Sequence, residues 1–78
     1  MMAMTTLSEE DRRILHHLRT NVEAGDRYFR SRQIAEAVGL SANQVGVRLS
    51  RLRDVVDDVV IEPWGRSRST TWRVTPVR

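Results

Sequence analysis

Gly39 stands between two stretches of helical periodicity, and the residues spaced around it restrict the fold more than any other feature. Ala35 lies four residues before it and Val45 six after it. A small side chain at Ala35 lets a following helix approach closely. Gly39 can take the left-handed conformation that stops one helix and turns the chain sharply. Val45, branched and apolar, then locks the second helix onto the first. The pattern is that of two helices crossing over a tight turn.

The flanking residues extend this layout. Ser8 is a good N-cap with acids behind it, and Leu7, Ile14, Leu15, Leu18 and Val22 recur at helical spacing. They predict helix 1 over 9–22, ending near Gly25. Tyr28-Phe29 is a short aromatic step with the make-up of a brief strand. Ser31 is placed to cap helix 2 over 32–38, with Ile34, Ala35 and Val38 inward. Ser41 and Gln44 form an S-x-x-Q capping box ahead of helix 3 over 42–55. Val45, Leu49, Leu52 and Val56 make its apolar stripe. DDVVIEPW and TTWRVTPV are β-rich runs joined by the turn GRSRST. The predicted fold class is mainly α with a β-hairpin (α+β): three helices plus a C-terminal two-stranded unit. Residues 1–7 are expected to be a flexible tail and 8–78 the single domain.

At 78 residues there is room for one small domain and no separate effector domain. The chain has no cysteine, which excludes disulfides, a thiol nucleophile and cysteine-ligated zinc. No apolar run approaches the length of a membrane span. MMAMTTLSEEDRR lacks the layout of a signal peptide, so a cytoplasmic location is expected.

Charge is distributed in blocks. All 13 basic residues are Arg. A GC-rich coding bias accounts for that, and so does the suitability of the guanidinium fork for phosphates and base edges. Residues 27–53 hold six Arg against Glu36 alone, net +5, and 63–78 hold four more. Between them lie Asp54, Asp57, Asp58 and Glu62, while residues 1–26 are net −2. A merely solvated surface more often mixes the signs.

The segment SRQIAEAVGLSANQVGVRLSRL resembles the helix-turn-helix of DNA-binding regulators at Ala35, Gly39, Leu40 and Val45. The Val45-to-Leu49 spacing with Leu52, followed by a hairpin, is similar to winged-helix regulators, small haloarchaeal ones among them. The resemblance covers about residues 8–76. It implies a winged helix-turn-helix that binds double-stranded DNA and regulates transcription. Helix 42–55 would enter the major groove, and the 65–70 wing would hold flanking backbone or the minor groove.

A helical wheel identifies the residues such a helix presents. With Val45, Leu49 and Leu52 facing the core, Asn43, Val47, Ser50 and Asp54 point away. Asn43 and Gln44 carry amides able to pair with adenine, and Val47 can touch a thymine methyl. Arg51 and Arg48 are candidates for phosphates or a guanine edge. Ser41, at the helix start, is a candidate phosphate contact. Arg30 and Arg32, with Arg27 nearby, are candidates for flanking backbone, and Arg66 and Arg68 for the wing tip. The bland readings are equally concrete: Gln44 serves the capping box, and Arg66 and Arg68 solvate a turn. Gly46 costs roughly 1 kcal/mol against Ala inside a helix, which a close approach of a partner backbone explains, as does a packing need within the chain. Asp54 repels phosphate, so the candidate face ends near Arg51 or Arg53.

Trp72 reads as core and Trp64 as cover for the hairpin base. His16 and His17 point about 100° apart and do not form an i, i+4 chelate. Asp57-Asp58 reads as a turn or charged strand edge. No phosphate loop or nucleophile elbow is present, so an enzyme is not expected, nor is a cofactor or metal. The expected partners are double-stranded DNA and a second copy of the chain, docking through helix 1 and the tail with Met1, Met2, Met4 and Leu7. The alternative is a protein-interaction module whose basic face docks on an acidic partner.

Overall fold

The protein was analysed as a computed structural model, which describes residues 7–65 and 71–77. The order of elements is α1 (Glu9–Glu23), β1 (Tyr28–Arg30), α2 (Ser31–Val38), α3 (Ala42–Val55), β2 (Val59–Trp64) and β3 (Thr71–Pro76). Three helices pack on one face of a three-stranded antiparallel sheet of order β1-β3-β2. This small α+β domain is compatible with a winged-helix layout.

α1 starts at a full capping box. The Ser8 Oγ accepts from the Asp11 N–H at 3.1 Å, and the Asp11 carboxylate accepts from the Ser8 N–H at 3.2 Å. The first-turn acids Glu9, Glu10 and Asp11 suit the positive end of the helix dipole. The helix runs one residue beyond the expected end.

α2 and α3 meet across the turn read from the sequence. Gly39 is left-handed at φ 79° and ψ 32°, and its N–H donates to the Ala35 carbonyl at 2.8 Å. Leu40 donates to the same carbonyl at 3.0 Å, so the turn closes with its backbone satisfied. α3 has the expected bounds, with Ser41 and Gln44 exchanging 3.1 and 2.9 Å hydrogen bonds. Val56, expected on the apolar stripe, is the C-cap and only half-buried.

Two expectations need correction. Ser31 is not the cap of α2 but its first residue, and Arg30 occupies the cap position. The Ser31 hydroxyl is buried and accepts from Trp72 Nε1 at 2.9 Å, so it is committed to β3 rather than to its own helix. The sheet is also larger than the expected two-stranded unit. Tyr28–Arg30 joins it, pairing Phe29 with Trp72 and Arg30 with Thr71.

The core draws on every element. Ile14, Leu15 and Leu18 of α1 meet Ile34 and Ala35 of α2, Val45, Leu49 and Leu52 of α3, and Phe29, Ile61, Trp72 and Val74 of the sheet. Each fully buried aliphatic side chain contributes about 1.5–3 kcal/mol. Leu7, the one described residue of the expected tail, packs against this cluster. Arg19 of α1 grips Asp58 bidentately at 2.8 and 3.1 Å, tying the lead-in to β2 onto the first helix. Asp58 is thereby explained as an exposed ion pair, worth at most about 1 kcal/mol. Among the described residues, no helix is long and apolar enough to cross a membrane.

Candidate functional site

The first half of α3 forms the candidate site. Val45, Leu49 and Leu52 are buried, which turns the opposite side of the helix to solvent. Asn43, Gln44, Ser50 and Arg51 are all exposed, and Val47 is 54% exposed. Asn43 and Val47 form a ridge between two shallow depressions. One is lined by Asn43, Gln44, Val47, Arg48 and Arg51. The other is lined by Ala42, Asn43, Gly46, Val47, Ser50 and Trp72.

Among the described residues, nothing outside its own helix backbone closely packs on the position a side chain at Gly46 would fill. A Cβ built on it meets nothing within 4 Å. Its backbone is ordinary helix, since among the glycines only Gly25, Gly39 and Gly65 have positive φ. Neither its conformation nor the packing of the described residues therefore requires glycine here. The Ser50 hydroxyl donates back to the Gly46 carbonyl at 3.1 Å, a bond that occupies Ser50 within the helix.

Arg48 departs from the expected set. Its side chain is only 25% exposed, and Nη1 lies 3.0 Å from both Asp11 Oδ1 and Ser8 Oγ. Burial raises the Asp11 carboxyl, but the hydrogen bonds from Arg48 and Ser8 outweigh it and hold it below its ordinary value of 3.8. Arg48 thus borders the site while serving the fold. It fixes α3 against the first turn of α1.

Trp72 is the member of the site that sequence reasoning missed. It is buried as expected, yet it lines the depression beside Asn43 and Gly46. Through Ser31 it also holds the start of α2, where Arg30 and Arg32 are exposed. Those two arginines therefore flank the residue that connects α2 to the α3 groove. Arg66 and Arg68, the expected wing contacts, lie outside the described residues.

A depression of about 640 Å³ lies elsewhere, between α1 and α2, where Arg12, Arg13, His16 and His17 lie beside Ala37 and Val38. His17 packs edge-on to Phe29, and burial, then the neighbouring His16 charge, hold its pKa below 6.5. Among the described residues, no three His, Cys, Asp or Glu side chains are grouped to hold a metal ion. The exposed residues of α1 are polar, among them Arg12, Arg13, His16 and Arg19. Met1, Met2 and Met4 of the expected docking surface lie outside the described residues.

The class defined by these features is a small α+β domain that presents the polar, glycine-containing face of one helix. The chain belongs to the family described as Domain of unknown function (DUF7123), whose model matches residues 1–76. No curated protein and no solved structure matches the chain.

Proposed function

We propose that this domain is a winged helix-turn-helix that binds double-stranded DNA with sequence preference and regulates transcription. α3 enters the major groove with Asn43, Gln44 and Val47 toward base edges. Arg51, Arg30, Arg32 and the helix start at Ser41 take phosphates. Arg66 and Arg68 in the 65–70 segment hold the flanking backbone or minor groove.

The observation that carries this reading is Gly46. A glycine in mid-helix, half-buried on the flank of the face that exposes Asn43 and Val47, leaves open space for a Cβ among the described residues. It costs the helix roughly 1 kcal/mol and meets no contact among the described residues that calls for it. A partner that approaches the helix backbone closely gives it a purpose. The block of arginines on α2 and α3 suits a polyanion.

The test is a titration with a pool of random duplexes at several salt concentrations, read by anisotropy. Arg51→Ala and an Arg66→Ala/Arg68→Ala variant run alongside. The expected result is binding that weakens with salt, with a shallower salt slope in both variants. No binding at low salt overturns the reading and transfers the basic face to an acidic protein partner.

A further inference from the structure

The solvent face of the sheet is unaccounted for by the proposed DNA contact. Alternation along the strands puts Tyr28, Val60, Glu62, Trp64 and Arg73 on it, while Phe29, Ile61, Trp72 and Val74 face the core. Tyr28 is 55% exposed and Trp64 45%. The chain has four aromatic residues other than histidine, two Trp, one Tyr and one Phe, so half of them are spent on this outer face. Trp64 does more than cover the hairpin base. Its ring lies 5.7 Å from that of Tyr28, and the Arg73 guanidinium sits 5.1 Å above it. Tyr, Trp and Arg are the side chains most enriched where proteins meet.

The charges on this face are arranged for a copy of itself. Tyr28, Arg73 and Glu62 lie in register across the three strands. Arg73 and Glu62 are only loosely paired, at 3.9 Å, and both are partly exposed. One positive and one negative charge thus stand side by side on adjacent strands, flanked by apolar groups. A two-fold axis running along the strands between β2 and β3 sets each Arg73 over Glu62 of the second copy. The same operation brings Trp64 and Val60 of each copy against β3 of the other. The exposed side of α1 offers no comparable apolar area among the described residues.

We infer that the outer face of the sheet is a homodimer interface, with Arg73 and Glu62 forming reciprocal ion pairs between copies. The overlapping β2 and β3 span only about 20 by 10 Å per copy, with β1 and Tyr28 beyond the paired strands, well below the area of a standard specific interface. The free dimer is therefore weak. The inference rests on the sheet alone and stands or falls without DNA.

The experiment is sedimentation equilibrium of the full chain without DNA, to about 0.5 mM, above the Kd that so small a contact gives. Arg73→Glu makes the face wholly acidic at its centre, and Glu62→Arg makes it wholly basic. Each variant alone is expected to be monomeric, and an equimolar mixture to dimerise at least as well as the original chain. Pairing within one chain cannot produce that rescue. Trp64→Ser, at an exposed strand end, provides a second reading should either charge variant unfold, with an expected loss of roughly tenfold or more in self-affinity. A chain that stays monomeric throughout overturns the inference. So does a dimer that survives Trp64→Ser, which would return the interface to α1 and the N-terminal residues.

Discussion

Arg48 of α3 and Asp11 of α1, separated by 37 residues in the chain, meet at 3.0 Å, and Ser8 completes the contact from the same helix start. One aspartate therefore serves three purposes. It closes the capping box of α1, complements the helix dipole and anchors the helix that carries the candidate site. The orientation of α3 is set partly by this polar clamp and partly by the apolar stripe beneath it.

Arg48→Ala leaves a nearly buried carboxylate without its cation, while Asp11→Asn leaves the arginine without its anion. Because Arg48 is a quarter exposed, the expected cost is about 2 kcal/mol rather than the larger figure for a fully buried pair. In a domain of this size that lowers Tm by roughly 8–16 °C. A double-mutant cycle of thermal unfolding should show the two losses to be non-additive.

The same carboxylate shapes the pH dependence. Its folded pKa lies below the ordinary 3.8, so the unfolded chain binds the proton more tightly. The stabilisation is complete above the unfolded pKa and is lost as pH falls through the folded one. Denaturant titrations stepped below pH about 4 should show stability dropping for the original chain, and less steeply for Asp11→Asn. His17 acts in a higher window. Its lowered pKa means that stability falls as pH drops below 6.5, then levels once the folded group has also protonated. His17→Gln should remove that step.

Trp72→Phe keeps most of the ring packing and deletes the donor to Ser31, leaving a buried hydroxyl without it. The expected cost is about 1–3 kcal/mol by chemical denaturation. Ser31→Ala should cost a similar amount for the complementary reason, since it strands the indole N–H. If the bond is the shared cause, the double variant is milder than the sum of the two.

Val47→Ala and Asn43→Ala should leave stability within about 0.5 kcal/mol, because both side chains are exposed. Selection of preferred duplexes from a random pool should nevertheless give altered sites for each. Unchanged preferences would limit α3 to backbone contact.

Local signals in the sequence carry well into the structure. The Ser41–Gln44 box starts, and Leu52 sits inside, a helix whose bounds match the expectation, and Gly39 turns the chain as its spacing requires. Apart from the helix ends at Glu23 and Val56, the failures are non-local. Ser31 has the chemistry of a cap, but its hydroxyl is claimed by Trp72, 41 residues away. Three residues of β1 are too few for a periodic pattern, and they become a strand only because β3 returns to pair with them. A helical wheel puts Arg48 at the edge of the candidate face, but no wheel shows the aspartate waiting on another helix. The site is legible as far as one helix dictates it. The groove wall supplied by Trp72 is not.

Gly46→Ala separates the account from its rivals in one variant. The added methyl meets open space among the described residues, so it should raise stability by about 0.5–1 kcal/mol. If α3 docks closely in the major groove, the same methyl should clash with the partner. Anisotropy titrations of duplex DNA with the original chain and with Gly46→Ala, alongside their melting curves, measure both effects. The account predicts salt-dependent binding by the original chain, and a more stable variant whose affinity is lower by roughly tenfold or more. A stabilised variant that binds duplex as well as the original chain would contradict it.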